Sequence, residues 1–377
     1  MGLGGPPVGL DGFGTLRTVG QCAPCCPLHS PIWLLPVLSP LAAVLAVKRL
    51  SRAPGDQRAR LDGMNQDTDR ETAVALVAGA TRGAGRAIAV ELARAGYFVF
   101  ATGRSSRVSG PSELGQPETI EETGELITAS GMAGEALVVD HEDPAAVNAL
   151  IARIERDRGR LDVLVNDIFG GGRYMEWDKP LWEHDWAGGL RMLQMGVHTH
   201  LITCQAAIPL LLRTAQARGS RGLAVEVTDG TSKANAEFRR NVGFYYDLVK
   251  ANVERIVIGL SAELEDLPVT AVGVTPGWLR AEGMLKSFGV SEENWRDTCV
   301  EHPDFGISES PTYIARGVAA LVRDPGVTRW AGTIMSARQL ADAYGVTDTD
   351  GSRPDCWGYL DAYGWDREDG VGIDEFR

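Results

Sequence analysis

The order of residues predicts an α/β fold, a doubly wound parallel sheet of about seven strands with helices on both faces. Two observations carry that prediction. Short runs rich in Val, Leu and Ala recur along the chain with helical stretches between most of them, the alternation that parallel strands joined by crossover helices produce. The first of these runs also ends in a glycine-rich turn that opens a helix, "VALVAGATRGAGRAIAVELARAG". The bulk composition agrees: 377 residues, 44% of them hydrophobic and 23% charged, suffice for one large core or two smaller ones. A formal net charge of −13 argues against general nucleic-acid binding, because a chain that tracks phosphates shows a basic surplus on at least one face.

Residues 1–66 stand apart as an irregular N-terminal extension. "MGLGGPPVGLDGFG" is rich in Gly and Pro, "RLSRAPGDQRAR" is basic, and neither has a folding period. Between them the apolar run of residues 32–47 is short for a bilayer span and holds Pro36 and Pro40. The extension is therefore expected to be a dispensable leader, with Met64 as a plausible first residue and a weak membrane tether as the alternative. Cys22, Cys25 and Cys26 lack a second ligand pair that would close a zinc site, so no metal is expected. Six cysteines without a framework spacing fit reduced thiols in a cytoplasm.

The second region, residues 67–345, carries the periodic pattern. "AVALVAG" reads as a buried strand, and in the helix after it Ile88, Leu92 and Ala95 share one face before the stop at Gly96. In the intervening turn Gly79, Gly83 and Gly85 let the backbone turn tightly and approach a pyrophosphate at the helix N-terminus, where free N–H groups and the helix dipole favour anions. Strands follow at "YFVFATG", "EALVVD", "LDVLVND", "LAVEVTD", "VTAVGVTP" and "GTIMSA". A parallel sheet binds ligands beyond the carboxyl ends of its strands, and each motif here sits at such an end. On the helix "FYYDLVK", residues four apart share a face, so Tyr246 meets Lys250 while Tyr245 points about 100° away.

Together "GATRGAG", "VVD", "VND", "YDLVK" and "TPG", in this order between Thr72 and Tyr344, resemble the short-chain dehydrogenase/reductase family. The resemblance implies a Rossmann fold, NAD(P)-dependent interconversion of a small carbonyl compound and an alcohol, no metal, and a homodimer or homotetramer. It places Tyr246 as the acid/base. Lys250 would lower the phenol's pKa and hold the nicotinamide ribose. The cofactor would lie along Gly79, Thr81, Arg82, Gly83 and Gly85, with Asp140 at the adenine, Asn166 bracing the adenine-side backbone, and Pro276 and Gly277 passing the nicotinamide. NAD-binding relatives carry an acidic residue after the second strand. This chain has "TGRSSR", so Arg104, with Arg82, points to NADP(H) through the 2′-phosphate.

The chain departs from the family pattern at several positions. Asp229 stands where a serine hydroxyl is expected; it is read as a protonated donor to substrate, with Thr231 or Ser232 in reserve. Gly196 replaces the helical asparagine, Ala281 a threonine, and "NDIFGG" the usual Asn-Asn-Ala-Gly. His198 and His200 read as exposed helix-face residues. Trp177, Trp182, Trp186, Trp278 and Trp295 are candidates for an apolar substrate wall, and equally for core filling. Residues 346–377 form an acidic, aromatic tail without EF-hand spacing, expected on the pocket rim or a neighbouring subunit. A non-catalytic NADP(H)-binding sensor or scaffold is the alternative to the reductase.

Overall fold

A computed structural model describes residues 71–364 and 369–377. Residues 1–70, with Met64, Cys22, Cys25, Cys26 and the apolar run of residues 32–47, on which the expectation of a dispensable leader falls, lie outside the described residues.

Seven strands form one parallel sheet in the order β3-β2-β1-β4-β5-β6-β7: β1 (Val74–Ala78), β2 (Phe98–Gly103), β3 (Gly134–Val138), β4 (Val163–Asn166), β5 (Gly222–Val227), β6 (Val269–Thr275) and β7 (Ile334–Ser336). The order reverses between β1 and β4, and loops at that switch diverge to leave a crevice. Strand periodicity explains why both faces must be covered. In β1, Ala75 and Val77 face one layer while Val74 and Leu76 face the other, and all four are fully buried.

On the first face lie α1 (Gly83–Arg94), α2 (Ile120–Ala129), α8 (Pro311–Leu321) and α9 (Ala337–Tyr344), contributing Ile88, Ile127, Ile314, Val318 and Leu340 to the core. On the second lie α3 (Pro144–Arg158), α5 (Thr199–Arg218) and α6 (Phe244–Glu263), with Leu150, Ile154, Leu210 and Leu211 buried against the sheet. Each such side chain contributes about 1.5–3 kcal/mol through burial. β3 is a partly exposed edge rather than a buried strand. The remaining helices, α4 (Trp186–Leu193), α7 (Glu282–Phe288) and α10 (Cys356–Tyr363), surround the crevice. Between α4 and α5 the helix widens to a π segment at Gln194–His198, a local irregularity often found at functional sites.

The tail is part of this architecture. Trp357 of α10 donates its indole N–H to the Pro276 carbonyl at 2.8 Å, and Cys356, Tyr359, Ile307 and Ile373 form a small core beside it.

Candidate functional site

A cavity of about 750 Å³ runs along the carboxyl ends of the strands, from the glycine turn to α10. At its β1 end two of the turn's glycines are required by space. A Cβ on Gly79, whose φ is +87°, would lie 2.2 Å from the Asp167 carbonyl oxygen, and one on Gly85 would lie 2.4 Å from the Gly79 carbonyl oxygen. Gly83 has a φ of +56°, a conformation that favours glycine, and a Cβ there would make only an ordinary contact, 3.7 Å from Ala281 Cβ. Two glycines thus bring β1, α1 and the end of β4 together, and the third leaves room for a ligand.

The Gly83 N–H at the first turn of α1 donates to Glu282 Oε2 at 2.9 Å, and Arg86 pairs with the same carboxylate. A carboxylate oxygen here stands in for a phosphate oxygen, since both are anions held by a helix N-terminus. With the cradle, this shows that the turn fits a pyrophosphate. Glu282 was not among the residues singled out from sequence; nothing local marks it as a neighbour of Gly83.

Around the end of β2 the structure holds Thr81, Arg82, Arg104 and Asp140 at the cavity wall. Neither arginine is a free charge. Arg82 Nε pairs with Glu118 at 3.0 Å while Nη2 reaches Ser105 Oγ at 3.4 Å. Arg104 Nη1 pairs with Glu142 at 2.6 Å, and its Nη2 lies 3.5 Å from Glu113 and 3.4 Å from Met195 Sδ. Arg191 binds the same two glutamates and holds both carboxyls below their usual range. Asn166 does not line the cavity. Its amide donates to Glu226 Oε1 at 2.8 Å in the layer behind. His200 is buried there too, held between Glu226 Oε2 at 2.5 Å and the Ile168 carbonyl, which corrects its reading as an exposed helix-face residue; His198 is exposed.

Tyr246 and Lys250 lie on the cavity side of α6, and Tyr245 packs away from them against Gly189 and the His184 ring. The Tyr246 hydroxyl donates to Asp229 Oδ2 at 2.7 Å. Burial and that carboxylate push the phenol well above its ordinary value, and Arg239 opposes them. The Lys250 ammonium sits 4.2 Å from the Phe169 ring centroid, a cation–π contact with the residue that replaces a small one after β4. Burial lowers its pKa, against the pull of Asp229 and Asp167. The half-buried Asp167 is pushed up to about 6 by desolvation, with Lys250 acting the other way. Gly196 is a close-packing position: a Cβ would lie 2.5 Å from Val249.

Asp229 differs from its sequence reading in its surroundings. It accepts a hydrogen bond from Tyr246, and Arg239 Nη1 lies 3.5 Å from the same oxygen, the geometry of an ion pair. Thr228 donates to the Lys250 carbonyl, Thr231 caps the turn Ser232–Asn235, and Ser232 is exposed, so none of these hydroxyls is directed at Tyr246.

At the far end, Gly277 N–H donates to Glu309 Oε1 at 2.8 Å, and burial raises that carboxyl to about 8. A Cβ on Gly277 would lie 2.3 Å from Cys356 Cβ, so the Pro276–Gly277 turn is pressed against the tail. Of the five tryptophans considered as substrate walls, Trp177 and Trp278 line the cavity, joined by Trp357. Trp182 and Trp186 are exposed, and Trp295 is buried beneath Arg280 and Phe305.

The family model for short chain dehydrogenase matches residues 73–289. Dehydrogenase/reductase SDR family member 1 from Mus musculus is 29% identical over 283 residues, 74% of this chain and 83% of the relative; its Homo sapiens counterpart is 27% identical over the same extent. Among solved structures, actinorhodin polyketide ketoreductase with NADPH is 21% identical with a TM-score of 0.55, covering 71% of this chain and 96% of that one. 7α-Hydroxysteroid dehydrogenase complexed with NADH and 7-oxo glycochenodeoxycholic acid is 20% identical with a TM-score of 0.55, covering 76% and 98%. At such identities the structural likeness concerns the fold alone.

Proposed function

This chain belongs to the short-chain dehydrogenase family, and from that premise we propose that it is an NADP(H)-dependent oxidoreductase that interconverts a small or medium carbonyl compound and an alcohol. The observation that carries the reading is the convergence of Tyr246, Lys250 and Asp229 on one cavity whose other end is the pyrophosphate cradle of Gly79, Gly83 and Gly85. When bound, a nicotinamide supplies or accepts hydride. The chain's own residues do the rest. Tyr246 gives its hydroxyl proton to the carbonyl oxygen in reduction and takes it back in oxidation. Lys250, half-buried against Phe169, stabilises the phenolate so formed and is placed to hold the ribose. Arg82 and Arg104 flank Ser105 at the end of β2, which supports a 2′-phosphate as the feature recognised. Trp177, Trp278 and Trp357 offer apolar surface on the substrate side.

A second reading, cofactor binding without turnover, is favoured by one feature, the carboxylate that occupies the Tyr246 hydroxyl in place of a serine. A panel of carbonyl compounds and alcohols, followed by NADPH absorbance on purified protein and its Tyr246→Phe variant, separates the two. Turnover lost in the variant supports the reductase. Tight NADPH binding with no turnover on any compound supports the sensor.

A further inference from the structure

Arg239 lies in the segment between β5 and α6, where its side chain is 3% exposed. Its Nε donates to Asp247 Oδ1 at 2.9 Å, and its backbone N–H is 3.4 Å from the same atom. Asp247 is the residue after Tyr246, so the guanidinium is anchored to the helix that carries the phenol. Among the described residues, however, Nη2 has no hydrogen-bond partner and Nη1 has only the Asp229 carboxylate, 3.5 Å away in an ion pair. Leaving a buried donor unmatched is costly, more so when it is charged, and such groups in a folded protein call for an explanation.

The explanation is in the direction of the donors. Tyr246 Oη and Arg239 Nη1 converge on a single atom, Asp229 Oδ2, at 2.7 and 3.5 Å. Asp229 lines the cavity and Arg239 lies behind it, outside the lining, so the guanidinium meets an oxygen in the cavity only when Asp229 turns aside and leaves its place to that oxygen. Asp229 is 30% exposed at the end of β5, so its side chain has room to turn aside. The charges facing the phenol also fit: Arg239 lowers its pKa, in opposition to Asp229 and burial. Lys250 lies over Phe169 and 5.6 Å from the Tyr246 ring centroid, with Asp229, Asp167 and Arg239 acting on its charge.

We propose that Arg239 supplies the second hydrogen bond to the reacting oxygen, the task a serine hydroxyl would perform where Asp229 stands, and is a catalytic residue beside Tyr246. The proposal rests on the reductase reading. In this role Arg239 makes and breaks no covalent bond. The proton that ends on the oxygen leaves Tyr246, and Arg239 keeps its own while stabilising the negative charge that develops. Its fixed charge and planar fork suit that work better than a hydroxyl would beside a carboxylate.

The test compares full-length protein with Arg239→Ala, Arg239→Lys and Tyr246→Phe, on a substrate identified in the carbonyl and alcohol panel. Loss of one oxyanion donor typically lowers kcat by about a hundredfold to a thousandfold, the effect expected for Arg239→Ala, with NADPH binding within about twofold. Added guanidinium ion should restore turnover in Arg239→Ala and not in Tyr246→Phe. The ultraviolet ionisation step of Tyr246, isolated by subtracting the Tyr246→Phe spectrum, should move to higher pH when Arg239 is removed. If Arg239→Ala does not fold, Arg239→Lys carries the test, since an ammonium cannot hold Asp247 and the reacting oxygen together; kcat should fall while NADPH binding persists. Near-normal kcat in a folded variant, or lost kcat with neither guanidinium rescue nor a shifted tyrosine, makes Arg239 structural and overturns the proposal while the reductase stands. Failure of the unmodified protein on every compound overturns both.

Discussion

Glu282 should compete with the cofactor for the N-terminus of α1. Its carboxylate lies 2.9 Å from the Gly83 nitrogen and pairs with Arg86 at 3.3 Å. A pyrophosphate needs the same amide, so the carboxylate must turn away, and its charge then stays close to an anion. A charge-assisted hydrogen bond is worth ~1.5–3 kcal/mol net. The Glu282 side chain is 31% exposed, so water replaces part of that bond and salt screens the rest, leaving about 1 kcal/mol, or roughly fivefold in affinity. Glu282→Ala is therefore expected to tighten NADPH binding by about fivefold, and Glu282→Gln by less, because the amide oxygen can still accept from Gly83. Without ligand, the alanine variant should melt slightly lower, having lost the partner of a helix-terminal N–H. Calorimetric titration at low and high salt is the assay. The gain should shrink at high salt, where the screening length falls from ~10 Å at 0.1 M to ~3 Å at 1 M. Unchanged or weaker NADPH binding by Glu282→Ala at low salt would refute the competition.

Other expectations follow from the same geometry. Tyr246→Phe should abolish turnover and spare NADPH binding, whereas Tyr245→Phe, altering a ring packed on Gly189 away from the cavity, should reduce kcat/KM only mildly; steady-state kinetics and a binding titration check both. Arg104→Ala should weaken NADPH by about tenfold to a hundredfold and leave NADH nearly unchanged, because one charge-assisted contact is lost; equal affinity of the unmodified protein for the two cofactors would contradict it. Glu309 has its carboxyl raised by burial from 4.5 to about 8. The folded state then holds a proton that the unfolded state releases, so this group's contribution is present below pH 4.5 and is lost as pH rises towards 8. Glu309→Gln, which keeps an acceptor for Gly277, should lose less Tm over that range than the unmodified protein in thermal melts.

Local chemistry made part of this protein legible in its sequence. The β1 strand, the glycine turn and α1 are contiguous, so apolar runs, missing side chains and a helix start could be read together. Tyr246 was separable from Tyr245 because helix geometry alone puts residues four apart on one face. Asp229 could be located by counting from β5, and Arg104 from β2. Where a strand ends, the parallel sheet dictates that its next residues face the crevice.

Tertiary structure decided what those residues meet. Glu282 reaches Gly83 across 199 positions of sequence, Trp357 reaches Pro276 across 81, and Glu309 reaches Gly277 across 32. His200 could not be recognised as buried without Glu226, its partner from β5. Trp182, Trp186 and Trp295 had the composition of a pocket wall, yet two ended in solvent and one in the core, because their directions depend on how the loops pack. Even at Asp229, where sequence found the residue, it did not find Arg239. A strand end specifies which atom faces the crevice, whereas the charge brought to that atom depends on chain segments whose approach only the assembled fold can set.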